Sequence, residues 1–200
     1  LRLYSWIEAT VSFGRNEPTR GLYDRTNAAD QGIEFVRRPT GGRAVLHSHE
    51  VTYAIVVPVR ALGGPRASYV EINRGLAEGL SSIGAAVTVT DHGKTLSPDA
   101  GACFGAPAPG EIIADERKLV GSAQLRVGDA LLQHGSILID GDQSLLNQLT
   151  GKLHDTVHPA TLRSMLGIVH QDQVTFSVID GLKHVLGGSW EEGEYLSGER

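Results

Sequence analysis

The alternation of apolar and polar positions predicts a chain that is rich in strands and has few helices. Residues 33–37 alternate with a period of two, and residues 51–57 form a β-branched run ended by Pro58, so both segments are predicted to be strands. Between residues 68 and 82 the apolar positions follow one helical face, and helical spacing returns after Pro159. The pattern therefore predicts two substantial helical stretches among short strands.

Further elements follow from the same reasoning. Strands are also predicted in residues 1–13, 44–47, 86–90, 111–114, 118–123 and 130–140, and a short helix in residues 23–32. No regular alternation of strand and helix is present, which argues against a doubly wound dinucleotide fold. We predict an α+β fold with a mixed sheet and a few helices, formed by one domain over residues 1–200.

Composition and charge narrow the class of protein. The 200 residues are 40% hydrophobic and 20% charged, as in a globular domain, and one cysteine allows no intrachain disulfide, which favours a reducing cytoplasm. The formal net charge of −5 disfavours binding to nucleic acid. No apolar run approaches the roughly 20 residues that span a bilayer, so we predict no membrane partner.

The first candidate for chemistry is residues 37–47, RRPTGGRAVLH. Gly41 and Gly42 allow the backbone to approach a ligand closely, and the neighbouring Arg37 and Arg38 suit an anion such as phosphate. A hairpin turn with solvated arginines explains the same pattern. The segment is neither a Walker loop nor a dinucleotide-binding glycine motif.

The second candidate is Cys103, the one cysteine of the chain. It lies between glycine-containing dipeptides after a turn-rich stretch, although a lone cysteine is more often a small buried hydrophobic residue than a nucleophile. A nucleophilic cysteine needs a nearby cation, and Lys118, fifteen positions later, opens an apolar strand. Spacing alone does not decide whether the two side chains meet.

The third candidate is the polar stretch around His134 and Gly135, inside an otherwise apolar run. It is interpreted as a satisfied core histidine, as a strand bulge at Gly135, or as the polar edge of a pocket. His47 and His49 share one strand face, but no further metal-ligand motif accompanies them, so we predict no metal site.

Taken in order, these segments resemble the lipoate–protein ligase and octanoyltransferase family. Residues 37–47 are similar to its signature loop, residues 118–124 (KLVGSAQ) to its lysine motif, and residues 132–138 (LQHGSIL) to the strand that follows. Residues 12–18 (SFGRNEP) fit the early strand and turn of the family. The resemblance implies the mixed, largely antiparallel catalytic-domain fold of biotin and lipoate protein ligases, and we expect the opening helix usual in that family to lie outside this sequence.

Within the family, the resemblance points to the cysteine-dependent octanoyltransferases. Cys103 falls where that branch carries its acyl-thioester cysteine, the step from Cys103 to Lys118 agrees with it, and the loop reads Gly-Gly-Arg where ligases usually have three glycines. Residues 107–111, PAPGE, depart from the aromatic-rich stretch expected there, which puts the acyl-chain length in doubt.

The resemblance implies a reaction in two steps and a role for each matching residue. Cys103 takes the octanoyl group from octanoyl-acyl carrier protein, and a lysine of an apo lipoyl domain, such as the glycine-cleavage H protein, then takes it from Cys103. No ATP, metal or other cofactor is required. Lys118 is expected to promote the thiolate and stabilise the oxyanion.

The remaining family positions are expected to bind substrate. Arg37 and Arg38 are expected to meet the acidic carrier, and His47 is a candidate general base. The expected lining of the acyl channel and oxyanion hole is Gly41, Gly42, Gly121, Ser122, Ala123, His134 and Gly135.

Three other functions stay open from the sequence. An ATP-dependent lipoate–protein ligase would use Arg38 and the glycine loop for an adenylate, and Cys103 would be incidental. An amidotransferase that moves lipoyl or octanoyl groups between lipoyl domains would share the thioester chemistry. A binding module that kept the pocket without turnover is the third.

Overall fold

Two β-sheets form the framework of the molecule in the computed structural model, which describes residues 1–90, 108–141, 143–150 and 158–194. The strands in these ranges are β1 (Arg2–Tyr4), β2 (Thr10–Phe13), β3 (Glu34–Arg37), β4 (Val45–His47), β5 (Glu50–Pro58), β6 (Thr88–Val89), β7 (Ile112–Ala114), β8 (Arg117–Val127) and β9 (Ala130–Leu138). The larger sheet has the order β1-β5-β9-β8-β7-β6, and the smaller has the order β3-β2-β4.

The larger sheet is antiparallel throughout its described strands. β5 and β9 pair without interruption along nine residues each, because both carry the β-branched and apolar residues that favour a buried strand. β7 and β8, both predicted as strands, form a hairpin in which Asp115 and Glu116 adopt positive φ angles of 47° and 58°. Two consecutive positive φ angles match the twist of a tight hairpin.

The smaller sheet corrects one of the two interpretations of the glycine pair. β2 lies between β3 and β4, parallel to the first and antiparallel to the second, so β3 and β4 are not hairpin partners. Gly41 and Gly42 therefore lie in a loop that crosses the end of β2. In that crossing, a Cβ on Gly14 would lie 1.8 Å from the Gly42 carbonyl oxygen, so only glycine fits at position 14.

Helices cover both sheets. Those in the described ranges are α1 (Arg25–Asp30), α2 (Pro65–Ser82), α3 (Ser144–Thr150), α4 (Leu162–Leu166) and α5 (Gln171–Leu186). α2 begins with proline in its first turn, and Gly84, whose φ is 95°, directly follows its C-cap residue Ile83. α2 and α5 approach closely, since a Cβ on Gly79 would lie 2.3 Å from the Ser177 carbonyl oxygen.

Each sheet has its own apolar core. α2 and α5 bury residues such as Leu76 and Leu182 against Tyr53 and Ile137 of the larger sheet. A second cluster of buried residues joins the smaller sheet to α1 and α3, with Leu149 fully buried. No helix of the described ranges is both long and apolar enough to cross a membrane.

The α+β prediction is confirmed, with differences in detail. The strand predicted over residues 86–90 is only two residues long, and the helical tail is split into α4 and α5 by a turn at Gly167, where φ is 75°. The sequence analysis did not predict α3. The interpretation of a bulge at Gly135 is wrong, because Gly135 pairs in regular register with Tyr53 and Ser122.

Candidate functional site

A cavity of about 300 Å³ lies where the two sheets face one another, and residues of the 37–47 segment, of the lysine-motif strand and of the stretch around His134 line it. The predicted site residues that line it are Arg38, Gly42, His47, Gly121, Ser122, Ala123, His134 and Gly135. Trp6, Val36, Pro39 and Val45 add apolar surface. Residues more than ninety positions apart in the chain thus form one pocket, which supports the pocket interpretation of the stretch around His134.

Arg38 holds the glycine loop in place. Its guanidinium donates to the carbonyl oxygens of Ser12 at 2.8 Å, Arg43 at 2.6 Å and Gly41 at 3.0 Å. Planar fork geometry makes arginine suited to several carbonyls at once. Arg38 therefore fixes the loop that forms one rim of the cavity.

Arg37 plays a similar part outside the cavity. It donates to the carbonyl oxygens of Gly14 at 2.6 Å and Glu17 at 3.0 Å, and to the Thr19 hydroxyl at 3.1 Å. Neither Arg37 nor Gly41 is among the residues that line the cavity. That Arg37 and Arg38 also meet an anionic carrier stays a prediction.

His47 lies at the centre of a buried polar cluster on the cavity wall. Its Nε2 is 2.7 Å from the Ser12 hydroxyl, and its Nδ1 is 2.8 Å from Glu50 Oε1. The Trp6 indole stacks on the imidazole with 4.4 Å between ring centroids. Thr52 donates to Glu50 at 2.5 Å and accepts from the Trp6 indole N–H at 2.9 Å.

The sequence analysis missed Trp6, Ser12, Glu50 and Thr52. Ser12 meets His47 only because β2 pairs with β4, a contact across 35 positions. One signal was available for Glu50, since a charged residue directly before a β-branched run and three positions after a histidine is unusual. It is 1% exposed.

His134 is neutral at physiological pH. Burial lowers the pKa of its imidazole to about 4, and the neighbouring charges of Arg38 and His47 act in the same direction. Its Nε2 lies 2.6 Å from the hydroxyl of the buried Thr40. This contact ties the glycine loop to β9 across the cavity.

We expect acid to destabilise the protein through His134. Its pKa is below the ordinary 6.5, so the unfolded chain binds a proton that the folded chain excludes, and stability is lost as pH falls from about 6.5 to about 4. After allowance for partial solvent exposure the loss is about 2 kcal/mol. Urea unfolding across this range should show a shallower decline in His134→Gln. The control His170→Gln, which alters an exposed imidazole, should follow the wild type; equal slopes in all three proteins would contradict the assignment.

Ser122 of the cavity lining belongs to a buried polar network that also includes residues of β5, β9 and α2. The Tyr53 hydroxyl donates to Ser122 at 2.6 Å, and the fully buried Gln133 donates to both Tyr53 and Asn73 at 3.0 Å. Burial raises the pKa of Tyr53 to about 12, so its phenol stays protonated. Gly135 allows β9 to approach β8 closely here, since a Cβ at this position would lie 2.2 Å from the Gly121 carbonyl oxygen.

Lys118 forms a buried ion pair with Glu111. Nζ lies 2.7 Å from Glu111 Oε1, and the two residues are 4% and 5% exposed. The other Glu111 oxygen accepts from the backbone N–H of Ala108 at 2.8 Å. Lys118 precedes the cavity-lining residues of β8 but does not itself line the cavity. Cys103 lies outside the described residues, so its contact with Lys118 stays a prediction.

Comparison with known proteins gives one consistent family. The model of the lipoyl protein ligase A/B catalytic domain matches residues 1–179. Octanoyltransferase LipM of Kyrpidia tusciae is 36% identical over 219 residues, covering 100% of this chain and 80% of that protein. The LipM of Carboxydothermus hydrogenoformans is 42% identical over 145 residues, which cover 71% of this chain and 54% of that protein.

Solved structures agree on the fold. Lipoate-protein ligase A bound with ATP superposes with a TM-score of 0.79 at 21% identity, over 96% of this chain and 74% of that one. A bi-partite lipoate protein ligase from Thermoplasma acidophilum superposes with a TM-score of 0.77 at 18% identity, over 99% of this chain and 75% of that one. The predicted catalytic-domain fold is thereby confirmed.

Proposed function

Because the chain belongs to the lipoyl protein ligase A/B catalytic domain family, we propose that it moves an octanoyl group from octanoyl-acyl carrier protein, through a thioester on Cys103, to a lysine of an apo lipoyl domain. The relatives that support octanoyl transfer carry the name octanoyltransferase at 36% and 42% identity. The ligases share the fold at lower identity, which supports the fold alone.

The observation that carries the cysteine mechanism is the position of the Lys118–Glu111 pair. Both ends of the segment that contains Cys103 are hydrogen-bonded to Glu111: Thr90 donates to its carbonyl oxygen at 2.9 Å, and Ala108 donates to its carboxylate at 2.8 Å. Cys103 is five residues from Ala108, so the covalent chain limits the separation of their Cα atoms to about 18 Å. The ion pair is thus anchored to the segment that bears the proposed nucleophile.

Lys118 would supply positive charge at the reacting centre. A buried ammonium favours a nearby thiolate over the thiol, and it stabilises the oxyanion that forms as the thioester carbonyl is attacked. Glu111 offsets the desolvation of that ammonium, which would otherwise be costly at 4% exposure. The β8 backbone beyond Lys118, at Gly121 and Ser122, borders the cavity.

The reaction would proceed as two acyl transfers. The Cys103 thiolate attacks the carbonyl carbon of the donor thioester, a new C–S bond forms, and the donor thiolate leaves. The lysine amine of the lipoyl domain then attacks the same carbon, a C–N bond forms, and the Cys103 thiolate leaves. The amide product is more stable than a thioester, so the sequence runs forward without ATP.

The cavity would hold the acyl chain. Val36, Val45 and Pro39 offer apolar contacts along the cavity wall. At about 0.8 kcal/mol per buried CH₂, an eight-carbon chain contributes several kcal/mol of binding free energy.

The test compares two acyl donors with an apo lipoyl domain as acceptor. Octanoyl-acyl carrier protein without ATP is expected to give the octanoylated domain, detected by intact mass, while free octanoate with ATP gives none. Apo H protein and the apo lipoyl domain of a 2-oxoacid dehydrogenase, used in parallel, show which acceptor is preferred. Product only from free acid and ATP would establish a ligase and overturn the proposal, and product only from an octanoylated lipoyl-domain donor would establish an amidotransferase.

A further inference from the structure

The hydrogen-bonded chain of Ser12, His47 and Glu50 on the cavity wall has the arrangement of a proton relay. Ser12 and His47 both line the cavity, whereas Glu50 lies behind them and is 1% exposed. We propose that this relay takes the proton from the attacking lysine amine in the second acyl transfer, with Ser12 and His47 as catalytic residues and Glu50 as a positioning residue. The inference rests on the proposed function and extends it to the proton.

The partners fix the direction of the relay. An ionised Glu50 can only accept, so its contact with His47 at 2.8 Å places a hydrogen on Nδ1 and leaves Nε2 of the neutral ring bare. Arg38 donates to the Ser12 oxygen at 3.1 Å, which leaves the hydroxyl hydrogen to point to Nε2 at 2.7 Å. Ser136, 3.2 Å from Nδ1, accepts a share of the same N–H.

The surroundings of His47 favour an imidazolium once the proton arrives. Glu50 supplies the counter-charge through the oxygen that also accepts from Thr52. Its second oxygen, Oε2, has no hydrogen-bond partner among the described residues. The parallel Trp6 ring at 4.4 Å adds a cation–π contact. Arg38, which donates to the Ser12 hydroxyl oxygen, is a nearby cation that opposes this charge.

The other titratable groups of the cavity lining are unsuited to this role. Burial lowers the pKa of His134 to about 4, which makes it a weak base, and its Nε2 contacts Thr40. Arg38 is a permanent cation, and burial together with Glu50 raises the pKa of Tyr4. Within the described lining, that leaves His47, whose Nε2 faces the Ser12 hydroxyl, as the base of the relay.

The protons balance over a full cycle. As the amine nitrogen bonds to the thioester carbon, its proton passes to the Ser12 oxygen while the Ser12 hydrogen passes to His47 Nε2, and the C–S bond breaks to leave the Cys103 thiolate. In the next acylation the donor thiolate leaves, and the imidazolium returns its proton to that sulfur through Ser12. The net reaction converts a thioester and an amine into an amide and a thiol.

The relay is tested in single turnovers from isolated octanoyl-enzyme. Glu50→Gln keeps the shape and an acceptor oxygen but removes the charge, and Ser12→Ala removes the proton carrier. Both are expected to slow transfer to the apo lipoyl domain by about 100-fold or more. In Glu50→Gln the acid limb of the pH–rate profile should also move to lower pH, because the base is weaker. Ser177→Ala, which removes a buried hydroxyl that donates to the Val174 carbonyl oxygen within α5, should behave as the wild type.

Deacylation by hydroxylamine distinguishes a loss of proton transfer from structural damage to the site. It is largely unprotonated at neutral pH and needs no base, so it should deacylate the octanoyl-enzymes of the wild type and both variants at the same rate. The relay would be overturned if the variants lost deacylation rate equally toward hydroxylamine and toward the lysine of the lipoyl domain. It would also be overturned if Glu50→Gln transferred the octanoyl group to lysine at the wild-type rate. An octanoyl adduct that resists hydroxylamine and vanishes in Ser12→Ala would make Ser12 the nucleophile and also overturn it. If the wild type forms no adduct on Cys103, the proposed function itself fails, and the relay with it.

Discussion

Replacing Cys103 with serine is expected to abolish octanoyl transfer to an apo lipoyl domain, with a loss of at least about 1,000-fold in rate. Serine keeps the size of the side chain, but its hydroxyl is almost wholly un-ionised at neutral pH, so the first acyl transfer lacks a nucleophile. Initial rates with octanoyl-acyl carrier protein and no ATP measure the effect.

The chain provides its own chemical control for this result. Cys103 is its one cysteine, so alkylation of the wild type with iodoacetamide modifies the same sulfur that the variant lacks. The alkylated wild type and Cys103→Ser should be equally inactive, and alkylation should not alter the variant. Substantial transfer by Cys103→Ser would show that the cysteine is incidental.

Replacing Lys118 with methionine is expected to cost both stability and activity. The change leaves the Glu111 carboxylate buried without its cation, and breaking a buried pair in this way costs about 3–5 kcal/mol of unfolding free energy. Loss of the ammonium that stabilises the thiolate and oxyanion should lower the transfer rate by at least about 100-fold. Urea unfolding and initial rates measure the two effects.

A double variant separates the structural from the chemical role of Lys118. Lys118→Met combined with Glu111→Gln removes both charges, so most of the lost stability should return. The transfer rate should stay low, because the ammonium is still absent. Recovery of activity together with stability would mean that Lys118 serves the fold only.

Local pattern was enough to predict most of the strands and the main helix. The β-branched run of β5 and the helical face of α2 are long and periodic, and Pro65 and Gly84 mark the ends of α2. α3 was missed because its seven residues offer little periodicity. Its apolar residues are buried against the smaller sheet by tertiary packing, with Leu149 fully inside.

The parts of the site that were predicted from the sequence are those carried by short, local motifs. The stretches around Gly42, Ser122 and His134 were identified from sequence and meet in one cavity. The contacts that organise them depend on strand order, which no local pattern encodes. Ser12 reaches His47 because β2 lies beside β4, and Thr40 reaches His134 across 94 positions.

The arginines beside the glycine loop were identified from the sequence, but the contacts they make were not predicted. Sequence reasoning gave Arg37 and Arg38 to an anion, since exposed arginines beside glycines suit phosphate. In the structure both guanidinium groups donate to backbone carbonyl oxygens: Arg38 holds the glycine loop against β2, and Arg37 holds the turn that follows β2. Backbone acceptors of this kind leave no mark in the sequence.

The most direct test of the thioester mechanism is the intact mass of the protein after incubation with octanoyl-acyl carrier protein in the absence of ATP and acceptor. The account predicts a gain of one octanoyl group on the wild type, removed by hydroxylamine and not formed on Cys103→Ser. An unmodified wild type, or an adduct that forms equally on Cys103→Ser, would contradict it.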